Sequence, residues 1–182
     1  KPKSNNHHPA LQLKDAQRWW HELKRRDGIG AKALMLVTLT GSRSSEVRGT
    51  DWSEFELYSE DKAEGSGFYG EWTRPFDRMK ARVEHRIPIT GPILEALHAS
   101  KTSSGLVFRS RSGSPISDMT MSALMKRMHA ADEIGFVDKV SKRPAVPHGL
   151  RSTYRDWVAE HGHSREAAEL QLAHKFGGAT EH

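Results

Sequence analysis

Five side chains able to donate hydrogen bonds to an anion stand at breaks in the helix and strand patterns: Arg43, Lys80, His148, Arg151 and His174. Arg43 follows Thr40-Gly41-Ser42 at an expected helix start, where free backbone N–H groups already favour negative charge. Lys80 lies in Arg78-Met79-Lys80-Ala81-Arg82, between two strand-like runs, and so on a hairpin. His148 and Arg151 follow Pro147 at another helix start, and their spacing lets both point to one side. His174 comes after a helix that ends in Leu172-Ala173. Gathered around one phosphorus, such groups suit phosphodiester transesterification. Guanidinium forks hold the non-bridging oxygens as they gain charge, and a lysine on a hairpin can protonate the leaving 5′-oxygen. Losing one donor of this kind costs roughly a hundred- to a thousand-fold in rate.

Each of these residues also has a plainer reading. Arg43 alone would be a salt-bridge partner at a helix start. Lys80 could be one charge among Arg74, Arg78, Arg82 and Arg86 on a solvated strand edge. For Arg78 and Arg82, contact with DNA phosphates and simple surface charge fit equally well. His148 and His174 would be capping or packing histidines. Tyr154 shares a helix face with Leu150 and Trp157 and reads as core, as does the stripe Met121, Leu124, Met125, Met128. Gly28-Ile29-Gly30-Ala31-Lys32-Ala33 imitates a dinucleotide fingerprint, but a helical pattern rather than a strand precedes it. His7-His8 and His161-Gly162-His163 have no acidic or cysteine partner at ligand spacing, so they read as surface histidines and no metal site is expected.

The elements that must position these residues follow from periodicity. Ala16, Trp19, Trp20 and Leu23 mark a helix from Leu13, stopped by Asp27-Gly28. A more apolar helix should run from Ile29 to Leu39, and a short one should begin near Arg43. Phe55 with Leu57, the stretch Phe68 to Thr73, and Val83, His85, Ile87 and Ile89 then predict three antiparallel strands, with a loop over Tyr58 to Gly67. Helices resume after Gly91-Pro92. Ser117 caps the methionine helix, another opens at Leu150 with Tyr154, Trp157 and Val158 inward, and Ser164 caps a last one reaching Leu172. Helices, a small sheet, then helices imply a mainly helical α+β domain.

Composition narrows the partners. The chain has 182 residues, one domain's worth, with 28 Lys+Arg against 23 Asp+Glu and a net charge of +5. That excess points to a polyanion, nucleic acid first. No cysteine is present, so disulfides and thiolate metal sites are excluded. No apolar run reaches the length of a bilayer span, so no membrane is expected. Residues 1–10, polar with prolines at Pro2 and Pro9, read as a linker, leaving 11–182 as the domain proper.

Taken together, these segments resemble the tyrosine recombinases of the phage-integrase type. Leu39 to Val47 looks like the family's first arginine box, and Trp72 to Thr90 resembles its lysine hairpin. Val107-Phe108 and Ser117-Asp118-Met119-Thr120 follow the intervening pattern. His148-Gly149-Leu150-Arg151 with Asp156-Trp157 resembles the second box, and Glu169 to His174 the helix ending in the last histidine. The match runs from Leu11 onward in order and spacing, which implies that residues 1–10 are the linker from the family's preceding DNA-binding domain.

The resemblance implies the tyrosine-recombinase catalytic fold and site-specific DNA recombination, by cleavage and rejoining through a 3′-phosphotyrosine, without a cofactor. Arg43 and Arg151 would hold the scissile phosphate, and Lys80 would protonate the leaving group. His148 would assist proton transfer or bond the phosphate, His174 would donate to it, and Glu46 would orient groups near Arg43. The partners implied are double-stranded DNA attachment sites and, for the full-length protein, a tetramer on DNA. A fragment would be monomeric, and the setting would be the cytoplasm, on the nucleoid.

The family's nucleophilic tyrosine follows the last histidine. Here Lys175-Phe176-Gly177-Gly178-Ala179-Thr180-Glu181-His182 contains none, and neither Tyr58, Tyr69 nor Tyr154 fits. This stretch is therefore expected not to cleave DNA. Two alternatives stand beside the enzyme: an inactive DNA-binding or regulatory module, and a metal-dependent nuclease or phosphatase using the histidines.

Overall fold

A computed structural model describes residues 8–98 and 103–174. The stretches before His8 and after His174, including most of the expected linker, lie outside the described residues. Among these residues, no helix is long and apolar enough to cross a membrane.

The centre is α2 (Ile29–Thr40), which packs against α1 (Leu13–Lys24), α3 (Ser44–Arg48), α5 (Gly91–His98), α6 (Asp118–Ala131) and α7 (Leu150–Glu160). Its sequence is apolar nearly all round, so it can only be a buried helix. Ala31, Ala33, Leu34, Met35, Leu36 and Val37 are all buried. Around it α1 contributes Trp19 and Leu23, and α6 contributes Met121, Leu124, Met125 and Met128, all buried. The methionine stripe is core packing. Gly28 is the N-cap of α2, and a helix rather than a strand precedes the fingerprint-like glycines.

Three strands, β1 (Phe55–Leu57), β2 (Gly70–Arg74) and β3 (His85–Pro88), form an antiparallel sheet in the order β1-β2-β3. The expected strands are all present, but β2 lies further along, and Val83 and Ile89 fall outside β3. The register sets Trp72 opposite both Phe55 and Ile87, and Arg74 opposite His85. Gly70, Trp72 and Arg74 are the buried alternate residues of β2.

Two local expectations need correction. The segment expected as a loop over Tyr58 to Gly67 contains a helix, α4 (Glu60–Ser66). Acidic Glu60 and Asp61 favour its N-terminal turn, and Gly67 closes it at φ 72. Trp157, expected inward on α7, is 41% exposed, whereas Val158 is buried. After α7, Ser164 Oγ accepts the backbone N–H of Ala167 and starts α8 (Arg165–Gln171).

Candidate active site

The first half of the site is built by the turn from α2 into α3. α2 ends at Thr40, and Gly41 adopts a left-handed φ of 64 that turns the chain back on itself. A Cβ there would lie 2.8 Å from Leu172 Cδ2, so glycine also permits the approach of the chain after α8. Arg43 then stands just before α3. Glu46 accepts the Arg43 backbone N–H with Oε2 at 2.8 Å and the Arg43 Nη1–H with Oε1 at 2.7 Å. The same carboxylate accepts from Arg74 Nη1 at 2.5 Å. Burial alone would raise the Glu46 pKa, but the charge of Arg74 and the bonds from Arg43 outweigh it and hold the carboxyl below its ordinary value.

The second half comes from the turn Pro147–Gly149 and the start of α7. Gly149 is packed so tightly on the Pro9 carbonyl that no side chain could fit between them. The His8 ring rests against the His148 ring at 4.3 Å. Arg151, 5% exposed, reaches across to the first half. Its Nη1 donates to the Gly41 carbonyl at 2.5 Å and its Nη2 to the Leu172 carbonyl at 2.7 Å, while Nη2 also lies 2.8 Å from His174 Nε2. Burial, then the charge of Arg43, lowers the Arg151 pKa to about 10, so it stays cationic at neutral pH.

His174 is held from its other side. Its Nδ1 bonds Glu169, whose other carboxylate oxygen forms an ion pair with Arg155, Nε at 3.0 Å. Arginine has donors only, so Nε2 of His174 accepts from Arg151 and Nδ1 carries the proton given to Glu169. The His148 pKa is lowered by burial first, then by His8, Arg151, Arg43 and His174. Its ring therefore lies close enough to feel the charges of both halves.

The remaining expected residues are placed differently. Lys80 is exposed on the connection between β2 and β3 and makes no hydrogen bond or ion pair among the described residues. Arg78 is turned inward, bonding Glu54 and donating from Nη2 to the Glu46 carbonyl at 2.6 Å. Arg82 is exposed, with its guanidinium 5.6 Å from the centre of the Phe76 ring. Tyr154 lines an apolar groove with Trp20, Leu39 and Trp157. His161 stacks on Trp157 at 4.6 Å, and His163 lies tilted against the same ring at 5.3 Å. Among the described residues, no three His, Asp or Glu side chains form a metal-ligand set.

Four contributors were not singled out from the sequence. Arg74 is 1% exposed and bonds Ser42 and Glu46; His85 bonds Arg74; Glu169 orients His174; and Gln171 donates to the Thr40 carbonyl at 2.9 Å. The signal for Arg74 was its period-two spacing from Trp72, which puts both on the buried face of β2. By composition alone Arg74 is one more charge among Arg78, Arg82 and Arg86.

Residues 10–182 match the model of the phage integrase family. The prophage integrase IntZ of Escherichia coli (strain K12) is 29% identical over 180 residues, spanning 96% of this chain and 40% of that protein. IntA of the same organism is 28% identical over 146 residues, spanning 78% and 30%. The chain thus spans less than half the length of these relatives. The XerH recombinase bound to its difH substrate superposes with a TM-score of 0.71 at 13% identity, covering 92% of this chain and 47% of XerH. A lambda integrase dimer bound to a COC′ core site gives 0.65 at 20% identity, covering 97% and 47%. At these identities the structural likeness is one of fold, a tyrosine-recombinase catalytic domain. The family match extends over nearly the whole sequence, and the chain belongs to the phage integrase family.

Proposed function

We propose that the chain is the catalytic region of a site-specific DNA recombinase that cuts and rejoins strands during integration or excision of a mobile element. The observation that carries this reading is the bond from Arg151 Nη1 to the Gly41 carbonyl, which joins segments 110 residues apart and brings the two guanidinium boxes together. Solved relatives of the same fold hold DNA, and one is a lambda integrase tetramer on a Holliday junction. This chain's partners would be duplex attachment sites and further copies of the whole protein.

In the reaction, Arg43 and Arg151 hold the non-bridging oxygens of the scissile phosphate. Arg151 keeps one Nη1 proton and its Nε–H uncommitted among the described residues for that purpose. The attacking group is a tyrosine hydroxyl that follows His174 in the working protein. Its oxygen bonds phosphorus as the bond to the 5′-oxygen breaks, giving a 3′-phosphotyrosine. Lys80, free on its hairpin, supplies the proton to the leaving oxygen, and His148 helps remove the tyrosine proton or bonds the phosphate. His174 donates to the phosphate. Guanidinium and imidazole donors fixed in advance act on charge that develops in the transition state.

The test is a nicked duplex that traps the covalent intermediate, offered to a longer form of the protein that includes a tyrosine after His174. Trapping is expected, and Arg43→Ala or Arg151→Ala should abolish it while leaving much of the DNA binding. Normal trapping by both variants would refute the assignment. DNA binding without trapping by the parent would favour a regulatory module instead.

A further inference from the structure

We propose that Arg74 and His85 form a positioning pair that ties the Arg43 loop to the His174 end of α8, so that the two halves of the anion site keep one spacing. The inference rests on the recombinase reading for its purpose, but its geometry stands apart from it.

Arg74 is almost completely buried, and burial of an arginine is tolerated only where its charge is paired. It is held on one side by Ser42 Oγ at 3.1 Å and Glu46 Oε2 at 2.5 Å, the carboxylate that also orients Arg43. Its Nη2 bonds His85 Nδ1. The sheet register makes this contact possible, since Arg74 and His85 are direct partners across β2 and β3. The guanidinium also lies 4.7 Å from the Trp72 ring. Its Nε is buried with no partner among the described residues, so it is placed by the demands of the pair and not by full satisfaction of its donors.

His85 carries the link onward. Its Nε2 lies 2.8 Å from the Leu170 carbonyl, 85 residues away. Arg74 can only donate, so Nδ1 is the acceptor and Nε2–H donates to Leu170. The Leu170 carbonyl also accepts the Ala173 N–H at 2.9 Å, in the turn that delivers His174. One chain of bonds therefore runs from Arg43 through Glu46, Arg74 and His85 to the turn that carries His174. Neither Arg74 nor His85 needs to touch the phosphate, and both act through the residues they hold.

The test uses two substitutions that keep different bonds. In His85→Asn the amide oxygen replaces Nδ1 and keeps Arg74 but releases Leu170. In His85→Gln the longer amide replaces Nε2 and keeps Leu170. On the full chain, hydrogen exchange at the amides of Ala173 and His174 should quicken at least tenfold in His85→Asn and much less in His85→Gln, with exchange in α2 unchanged in both. Affinity for duplex DNA should fall several-fold in His85→Asn and recover in His85→Gln. Equal exchange in the two variants, or no change in His85→Asn, would overturn the proposal. Should the parent bind no DNA while the exchange contrast appears, the pair stands and the recombinase reading fails. Arg74→Met gives a second view where it folds; exchange at Ala173 as slow as in the parent would count against the pair.

Discussion

Arg151 Nη2 and His174 Nε2 lie 2.8 Å apart, two nitrogens of which one can only donate. In the free protein His174 is consequently an acceptor towards the centre of the site. A phosphate oxygen arriving there also accepts, so for His174 to bond it the Arg151 contact must give way. Glu169, bonded to Nδ1, holds the ring in place from its other side.

The support that Glu169 gives the ring is open to test. Glu169→Gln keeps a hydrogen-bonding side chain but removes the charge, and should lower the affinity for duplex DNA several-fold in calorimetry. Affinity unchanged in that variant would show that Glu169 does not support the histidine.

Gly41 links the two halves sterically as well as through its carbonyl. Gly41→Ala would place a methyl in a left-handed conformation and 2.8 Å from Leu172 Cδ2. The backbone effect alone costs roughly 1–2 kcal/mol, and the displaced Leu172 would add to it. Urea unfolding of the variant should show a loss of at least that size. A neutral result would mean that the turn relaxes freely and does not fix Arg151.

Much of this arrangement was legible in the sequence because it depends on local rules. The apolar run of α2, the methionine stripe and the capping serine of α8 follow from helical period and end chemistry. Arg43, His148, Arg151 and His174 stood out as cations at element breaks. The parts that were missed depend on tertiary pairing. Arg74 looks like its basic neighbours until the register buries it beside Trp72, and Arg78 resembles a DNA-contacting residue until Glu54 and the Glu46 carbonyl draw it inward. Glu169 earns its role only because a turn brings His174 back to it. The helix α4 was hidden by a polar composition that its end residues nonetheless favour.

Acid should destabilise the domain in two stages. Burial first, and then the charge of Arg74, depresses the His85 pKa below 6.5, with Glu46 and the Leu170 carbonyl acting the other way and Arg151 adding to the depression. Above that value the ring is neutral folded or unfolded and contributes nothing. As pH falls through it the unfolded ring binds a proton that the folded ring refuses, so stability declines until the folded pKa is reached. His148, depressed as well, adds in the same direction. Glu46, held low, contributes stability above 4.5 that is lost as pH falls through its folded value. Urea midpoints across this range should fall, with a slope from His85 of at most about 1.4 kcal/mol per pH unit, and His85→Gln should flatten the upper stage. An unchanged slope in that variant would contradict the assignment of the upper stage to His85.

The claim on which the site depends is that Arg43, His148, Arg151 and His174 serve one anion. Orthovanadate titrated into the chain with nitrogen-15 in its arginine and histidine side chains tests it most directly. The four residues' side-chain signals should shift together along one binding curve, with Arg82 unmoved. Arg43 and Arg151 responding with separate affinities, or only one of them responding, would mean that the two guanidiniums do not share a phosphate.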